Sequence, residues 1–166
     1  LHGLFECTAC GGKYGAGRKQ SLHCIMTYTV NERREFGMTD IHCHILPGFD
    51  DGSPSVGESV RMAEMAYASG IRRTVATPHF SALNGDIRRA SEEIGRLFAS
   101  LTEAVDGAGI SLKLYLGAEV LCTPEIPRLL SKGLIPTIAG TDYVLTEFFF
   151  DAPTEYMDNM LDEIHS

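Results

Sequence analysis

The stretch Asp40-Ile-His-Cys-His-Ile-Leu-Pro-Gly-Phe-Asp-Asp-Gly52 places two histidines two positions apart and follows them with a pair of aspartates. Imidazole and carboxylate together are the donor types of zinc, manganese or iron sites, as distinct from a pure thiolate site. Along a strand, side chains alternate between faces, so Asp40, His42 and His44 should share one face and Ile41, Cys43 and Ile45 the other. Alternate residues stand about 6.6 Å apart along a strand, close enough for two imidazoles to converge on one ion. A His-x-His pair alone is more often structural than ligating, and Asp-Asp-Gly is also an ordinary turn signature. The weight comes from three later places. Thr77-Pro78-His79, Gly117-Ala118-Glu119 and Thr146-Glu147 each end an apolar run in a residue able to bind a metal. Glu147 lies between Val144-Leu145 and Phe148-Phe149-Phe150, and a carboxylate in such company needs a cation or hydrogen-bond donors.

Something must bring these ends together. The pattern predicts a first strand over Asp40–Ile45, a second over Arg73–Thr77, a third over Leu112–Glu119 and a fourth over Tyr143–Phe148. Ser55 and Glu58 form a capping-box pattern before a helix that ends near Gly70, with Val56, Val60, Ala63 and Tyr67 on one face. Ile87, Ala90, Ile94, Leu97, Phe98, Leu101 and Val105 keep a 3–4 spacing, which predicts a long helix from about Asp86 to Asp106. A short helix should open at Thr123-Pro124 and close at Gly133, and a last one should span Thr154–His165. Strands alternating with helices predict an α/β fold with a parallel sheet. In such folds the C-terminal strand ends line one rim, where the active site is built.

Bulk properties narrow the function classes. A net charge of −8 over 166 residues disfavours nucleic acid as a partner. No apolar run is long enough to insert into a membrane, and no secretory signal is visible. The five cysteines lack a disulfide-framework spacing, which points to a reducing cytoplasm. Residues 1–37 differ from 38–166 in showing no sustained periodicity. Cys7-Thr-Ala-Cys10 with His23-Cys24 offers four zinc-type donors, but the adjacent His-Cys is poor geometry. Met38 stands just before the first strand, and Arg33-Arg34 is what a ribosome-binding AGGAGG would encode if translated. Residues 1–37 are therefore expected to be a non-native leader or a disordered tail, and 38–166 the functional domain.

Taken in order, DIHCH, LPGFDDG, ATPHF, GAEV and YVLTEF resemble the polymerase-and-histidinol-phosphatase (PHP) superfamily. Within it they most resemble the capsule-type, metal-dependent bacterial tyrosine phosphatases. The resemblance covers roughly residues 38–166. It implies the N-terminal half of a distorted (β/α)7 TIM-like barrel around a divalent metal cluster, with manganese expected and iron or zinc compatible. It implies that His42 and His44 bind one metal, that Asp51 and His79 serve the cluster, that Glu119 bridges metals, and that Glu147 completes the set. Asp51 is preferred to Asp50 because the family aspartate directly precedes the glycine. The implied reaction is hydrolysis of a phosphomonoester by metal-activated water, the substrate being a phosphotyrosine protein, a tyrosine autokinase that controls exopolysaccharide synthesis. A histidinol-phosphate-type phosphatase and a non-catalytic metal-binding fragment are the alternatives. The sequence is read as holding no phosphocysteine loop of the Cys-x5-Arg kind, which excludes a thiol-nucleophile phosphatase, and Cys43 and Cys122 are read as ordinary thiols. The family's later Ala-His-Pro-Glu-Arg segment and Asp-x-His pair do not occur, and His165 is read as a surface residue. The chain is accordingly expected to be a truncated enzyme that folds poorly and lacks phosphatase activity alone.

Overall fold

The computed structural model describes residues 5–6, 13–14, 37–83 and 85–165. β1 (Phe5–Glu6) and β2 (Lys13–Tyr14) pair antiparallel. The expectations on Cys7, Cys10, His23 and Cys24, and on Arg33-Arg34, lie outside the described residues.

From Met38 onward strands and helices alternate. β3 (Met38–Cys43), β4 (Ile71–Ala76) and β6 (Lys113–Leu116) form one parallel sheet in that order. β5 (His79–Phe80), β7 (Glu119–Leu121) and β8 (Leu145–Glu147) form a second parallel sheet. The two sheets meet through the chain itself. Thr77-Pro78 joins β4 to β5, and Gly117-Ala118 joins β6 to β7. The expected third strand over 112–119 is therefore two strands in different sheets. Gly117 sits at the break, and a side chain there would press within 3.1 Å of both Ile138 and Val75. Within these two sheets all neighbours are parallel and follow sequence order, as an α/β chain with helical crossovers requires.

The helices cover the sheets with the faces their spacing dictates. α1 (Val56–Ala68) begins at Ser55, whose Oγ accepts from the Glu58 backbone N–H at 3.3 Å. The Glu58 carboxylate pairs with Arg61. Val60, Ala63 and Tyr67 pack on the core, whereas Val56, in the first turn, is 39% exposed. α2 (Ile87–Gly107) is capped by Asp86, which accepts from Arg89 N–H. It buries Ile94, Leu101 and Val105 completely, with the four other apolar residues of the stripe packed beside them. α3 spans Ile126–Ser131, so the short helix opens at Glu125, with Pro127 as its early proline, and not at Thr123-Pro124. Gly133 closes it with φ +65, a left-handed turn that disfavours a side chain. α4 spans Thr154–His165 as expected. Among the described residues no helix is long and apolar enough to cross a membrane.

Candidate metal centre

β3 carries His42 and leads directly into His44, but its register with β4 is not regular. Its ladder with β4 slips between Asp40 and Cys43: Asp40 faces Thr74 and Cys43 faces Ala76, so three steps on β3 match two on β4. The extra residue is a β-bulge, a device that re-aims side chains. Asp40 braces it by accepting from His42 N–H at 3.1 Å. His44 lies one residue beyond the strand. The result still converges: the two Nε2 atoms lie 3.2 Å apart.

Thr77 locks the end of β4 onto β3. Its N–H donates to the Cys43 carbonyl and its Oγ1 accepts from Cys43 N–H, each at 2.9 Å. Pro78 then presents its carbonyl to Glu119 N–H at 3.0 Å. The Thr-Pro-His tripeptide thus fastens two neighbours before delivering His79. β5 pairs with β7 at His79 and Glu119, and β7 pairs with β8 at Leu121 and Glu147. His79 and Glu119 open β5 and β7, Glu147 closes β8, and the three strands stand side by side.

Glu119 is the centre of the arrangement. It is only 4% exposed. Its Oε2 lies 3.1 Å from His42 Nε2, 3.1 Å from His44 Nε2 and 3.3 Å from His79 Nδ1. Glu147 Oε1 lies 3.2 Å from the same His79 nitrogen. Asp51, 81% exposed at the side chain, reaches within 3.5 Å of His79 Nε2. Three overlapping triads come within metal-binding distance: His42, His44 and Glu119; His44, Asp51 and His79; His79, Glu119 and Glu147. The six residues singled out from sequence are thus brought together.

The chemistry of the donors bears on what fits between them. Although burial alone would raise the Asp50 carboxyl, hydrogen bonds from the Gly52 and His79 backbone and from the His44 ring hold it below the usual carboxylate range. An ionised Asp50 is acceptor-only, so His44 Nδ1, 2.9 Å away, carries the proton. The other ring nitrogen, His44 Nε2, faces the Glu119 oxygen at 3.1 Å and His42 Nε2 at 3.2 Å. Imidazole nitrogens and carboxylate oxygens that converge at such distances are the donors a divalent cation can join. The donor set therefore fits a divalent metal.

Sequence reasoning missed two supporting residues, Asp50 and Thr77; the only signal was their position beside the ligand-type residues. It also missed a spacing: Cys122 and Arg128 do stand in Cys-x5-Arg register. The geometry removes its meaning. Cys122 is fully buried, and burial pushes its thiol up to about 12. Its neighbours lead into α3, and Arg128 points to solvent. Burial likewise pushes the Cys43 thiol up to about 12. A nucleophilic thiol needs the opposite shift.

The family model for capsular polysaccharide synthesis proteins, CpsB/CapC, matches residues 38–166. The chain is 33% identical over 123 residues to the tyrosine-protein phosphatase YwqE of Bacillus subtilis (strain 168), covering 74% of this chain and 48% of that protein. It is 33% identical over 111 residues to the tyrosine-protein phosphatase CpsB of Streptococcus pneumoniae, covering 67% and 45%. A crystal structure from work on YwqE and CpsB, described there as unique metal-dependent tyrosine phosphatases, matches with a TM-score of 0.68 at 31% identity, over 77% of this chain and 51% of that one. The chain spans about half the length of the curated relatives it matches. With the family model matching from Met38 to the last residue, the chain belongs to the CpsB/CapC family of capsular polysaccharide synthesis proteins.

Proposed function

We propose that residues 38–166 supply the metal-holding part of a phosphatase that removes phosphate from protein tyrosine, its substrate being a tyrosine autokinase of capsule or exopolysaccharide synthesis. The observation that supports this best is the buried Glu119 Oε2 within 3.1–3.3 Å of three imidazole nitrogens. His42, His44, Asp51, His79, Glu119 and Glu147 would hold a divalent cluster, manganese first, with iron or zinc suited to the same donors. When bound, such ions lower the pKa of water and neutralise charge on the phosphate oxygens. The protein's own contribution is placement. The β3 bulge aims His42, Thr77 fixes the approach of His79, and Glu119 stays shielded from solvent between them. Asp51 and the half-exposed His79 leave the open side from which a phosphate would enter.

The parallel strands that bring these residues together fit one part of the wall of a distorted (β/α)7 barrel, whose C-terminal rim carries the chemistry. We place the reaction in the cytoplasm, where the free thiols Cys43 and Cys122 would persist. Manganese binding by this chain, measured by calorimetry and by metal analysis after gel filtration, is expected to exceed one ion per chain. No bound manganese, iron or zinc would refute the ligand assignment. Manganese-dependent phosphate release from a phosphotyrosine peptide and from histidinol phosphate, compared in a polypeptide containing these residues, decides the substrate. Preference for histidinol phosphate would overturn the tyrosine reading.

A further inference from the structure

The aspartate that the family pattern passes over is the better-connected one. Asp50 Oδ2 accepts from His44 Nδ1 at 2.9 Å and from the His79 backbone N–H at 3.0 Å. Its Oδ1 accepts from Gly52 N–H at 3.0 Å. Its side chain is 5% exposed, against 81% for Asp51. Asp51 Oδ1 stands 3.7 Å from the same His44 nitrogen, beyond hydrogen-bonding range. With three donors on its two oxygens and almost no open surface, Asp50 has little room left to take an ion itself.

We infer that Asp50 is the positioning residue of the centre, holding His44 as its Nδ1–H tautomer with Nε2 turned to Glu119, and fixing the backbone of His79 through the same oxygen. A single carboxylate thus sets two ligands from two different strands. Its reach spans 29 residues of sequence between Asp50 and His79. A neutral ring has one bare nitrogen, and the partner of the other nitrogen decides which one. Without that partner His44 can rotate, or carry its proton on Nε2, where it would face the centre as a donor. The metal consequence rests on the ligand assignment proposed above; the tautomer consequence does not.

Two measurements test it. Long-range ¹H–¹⁵N spectra of the metal-free chain at pH 8 are expected to show His44 protonated on Nδ1, and that signature should be lost in Asp50→Asn. An Nε2–H tautomer of His44 in the wild type, or an unchanged spectrum in Asp50→Asn, overturns the inference. In parallel, Asp50→Asn is expected to weaken manganese binding about 10- to 100-fold with little change in its thermal melt. Unchanged affinity also overturns it. Should the wild type bind no manganese, the ligand assignment fails, and the His44 spectra still decide the role of Asp50. Asp51→Asn is the internal control: it should weaken metal binding and leave the His44 tautomer as it is.

Discussion

Glu119→Gln is expected to remove most manganese binding from this chain while leaving the metal-free protein as stable as the wild type or more so. The two halves of that result have one cause. Glu119 is buried, and its Oε2 faces three imidazole nitrogens at 3.1–3.3 Å, among them His44 Nε2. With a cation present, the carboxylate is the shared anionic donor of two of the three candidate triads. Without one, it is a carboxylate held out of water, and burying that charge costs stability. Glutamine keeps the volume, discards the charge and supplies an amide donor to His44 Nε2. Loss of a partner that only orients a ligand costs about 10- to 100-fold in metal affinity, and loss of the shared ligand should reach the upper end or beyond. At manganese fixed near a hundred times the wild-type Kd, metal stabilises the wild type by about 2.7 kcal/mol. A hundredfold weaker variant keeps only about 0.4 kcal/mol of that. The difference corresponds to a Tm gap on the order of 5–10 °C. Thermal melts with and without manganese read both halves. A Glu119→Gln protein whose Tm still climbs with manganese as the wild type does would sink the central role of this carboxylate. The double replacement His42→Ala with His44→Ala should also lose the metal, but its metal-free Tm should fall, because it leaves a hole and strips Asp50 of a partner.

How much of this was legible beforehand follows from the range of the interactions. α2 was readable because seven apolar residues at 3–4 spacing can be satisfied only by one buried helix face, and the helix ends within a residue of expectation. His79, Glu119 and Glu147 were readable because each ends an apolar run, where a polar side chain needs a reason. His42 and His44 converge as expected, while the register shift between Asp40 and Cys43 was not legible, because a bulge depends on the neighbouring strand and β4 starts 28 residues beyond Cys43. The split at Gly117 escaped for the same reason: Val75 and Ile138, which crowd that glycine, come from distant segments. Asp50 and Asp51 could not be ranked by spacing, since adjacent residues differ only in which way the loop turns them. Cys122 and Arg128 show the converse. Their register is present in sequence, and burial denies it any chemistry.

Gly52→Ala is expected to be the most damaging single-methyl change near the centre, and the reason is space rather than backbone torsion. A Cβ on Gly52 would lie 2.1 Å from the His44 carbonyl oxygen and 2.4 Å from His44 Cβ. Those are the backbone and Cβ of His44, a proposed ligand, which cannot swing aside as the tip of a long side chain can. The same loop is pinned there by Ser53 N–H to the His44 carbonyl at 3.0 Å and by Gly52 N–H to Asp50 at 3.0 Å. To admit the methyl, the loop must lift from His44. That breaks the contacts that seat Asp50 and moves Asp51 off the rim. Overpacking of this kind costs about 1–3 kcal/mol, and the loss of Asp50's hydrogen bonds adds to it. Gly57→Ala gives the opposite sign. It lies in the first turn of α1, and its Cβ would meet nothing closer than 4.0 Å. Alanine there should stabilise by up to about 1 kcal/mol through helix propensity. Urea midpoints of the two variants, with manganese affinities alongside, make the comparison. Gly52→Ala should lower both stability and affinity, and Gly57→Ala should leave affinity unchanged. Equal and small effects would mean that the loop yields easily and does not hold His44. In the expected case the three residues of Asp-Asp-Gly divide the physical demands of the loop between them. Asp50 orients two ligands, Asp51 faces the open rim, and Gly52 leaves room for the loop to lie against the strand end that both depend on.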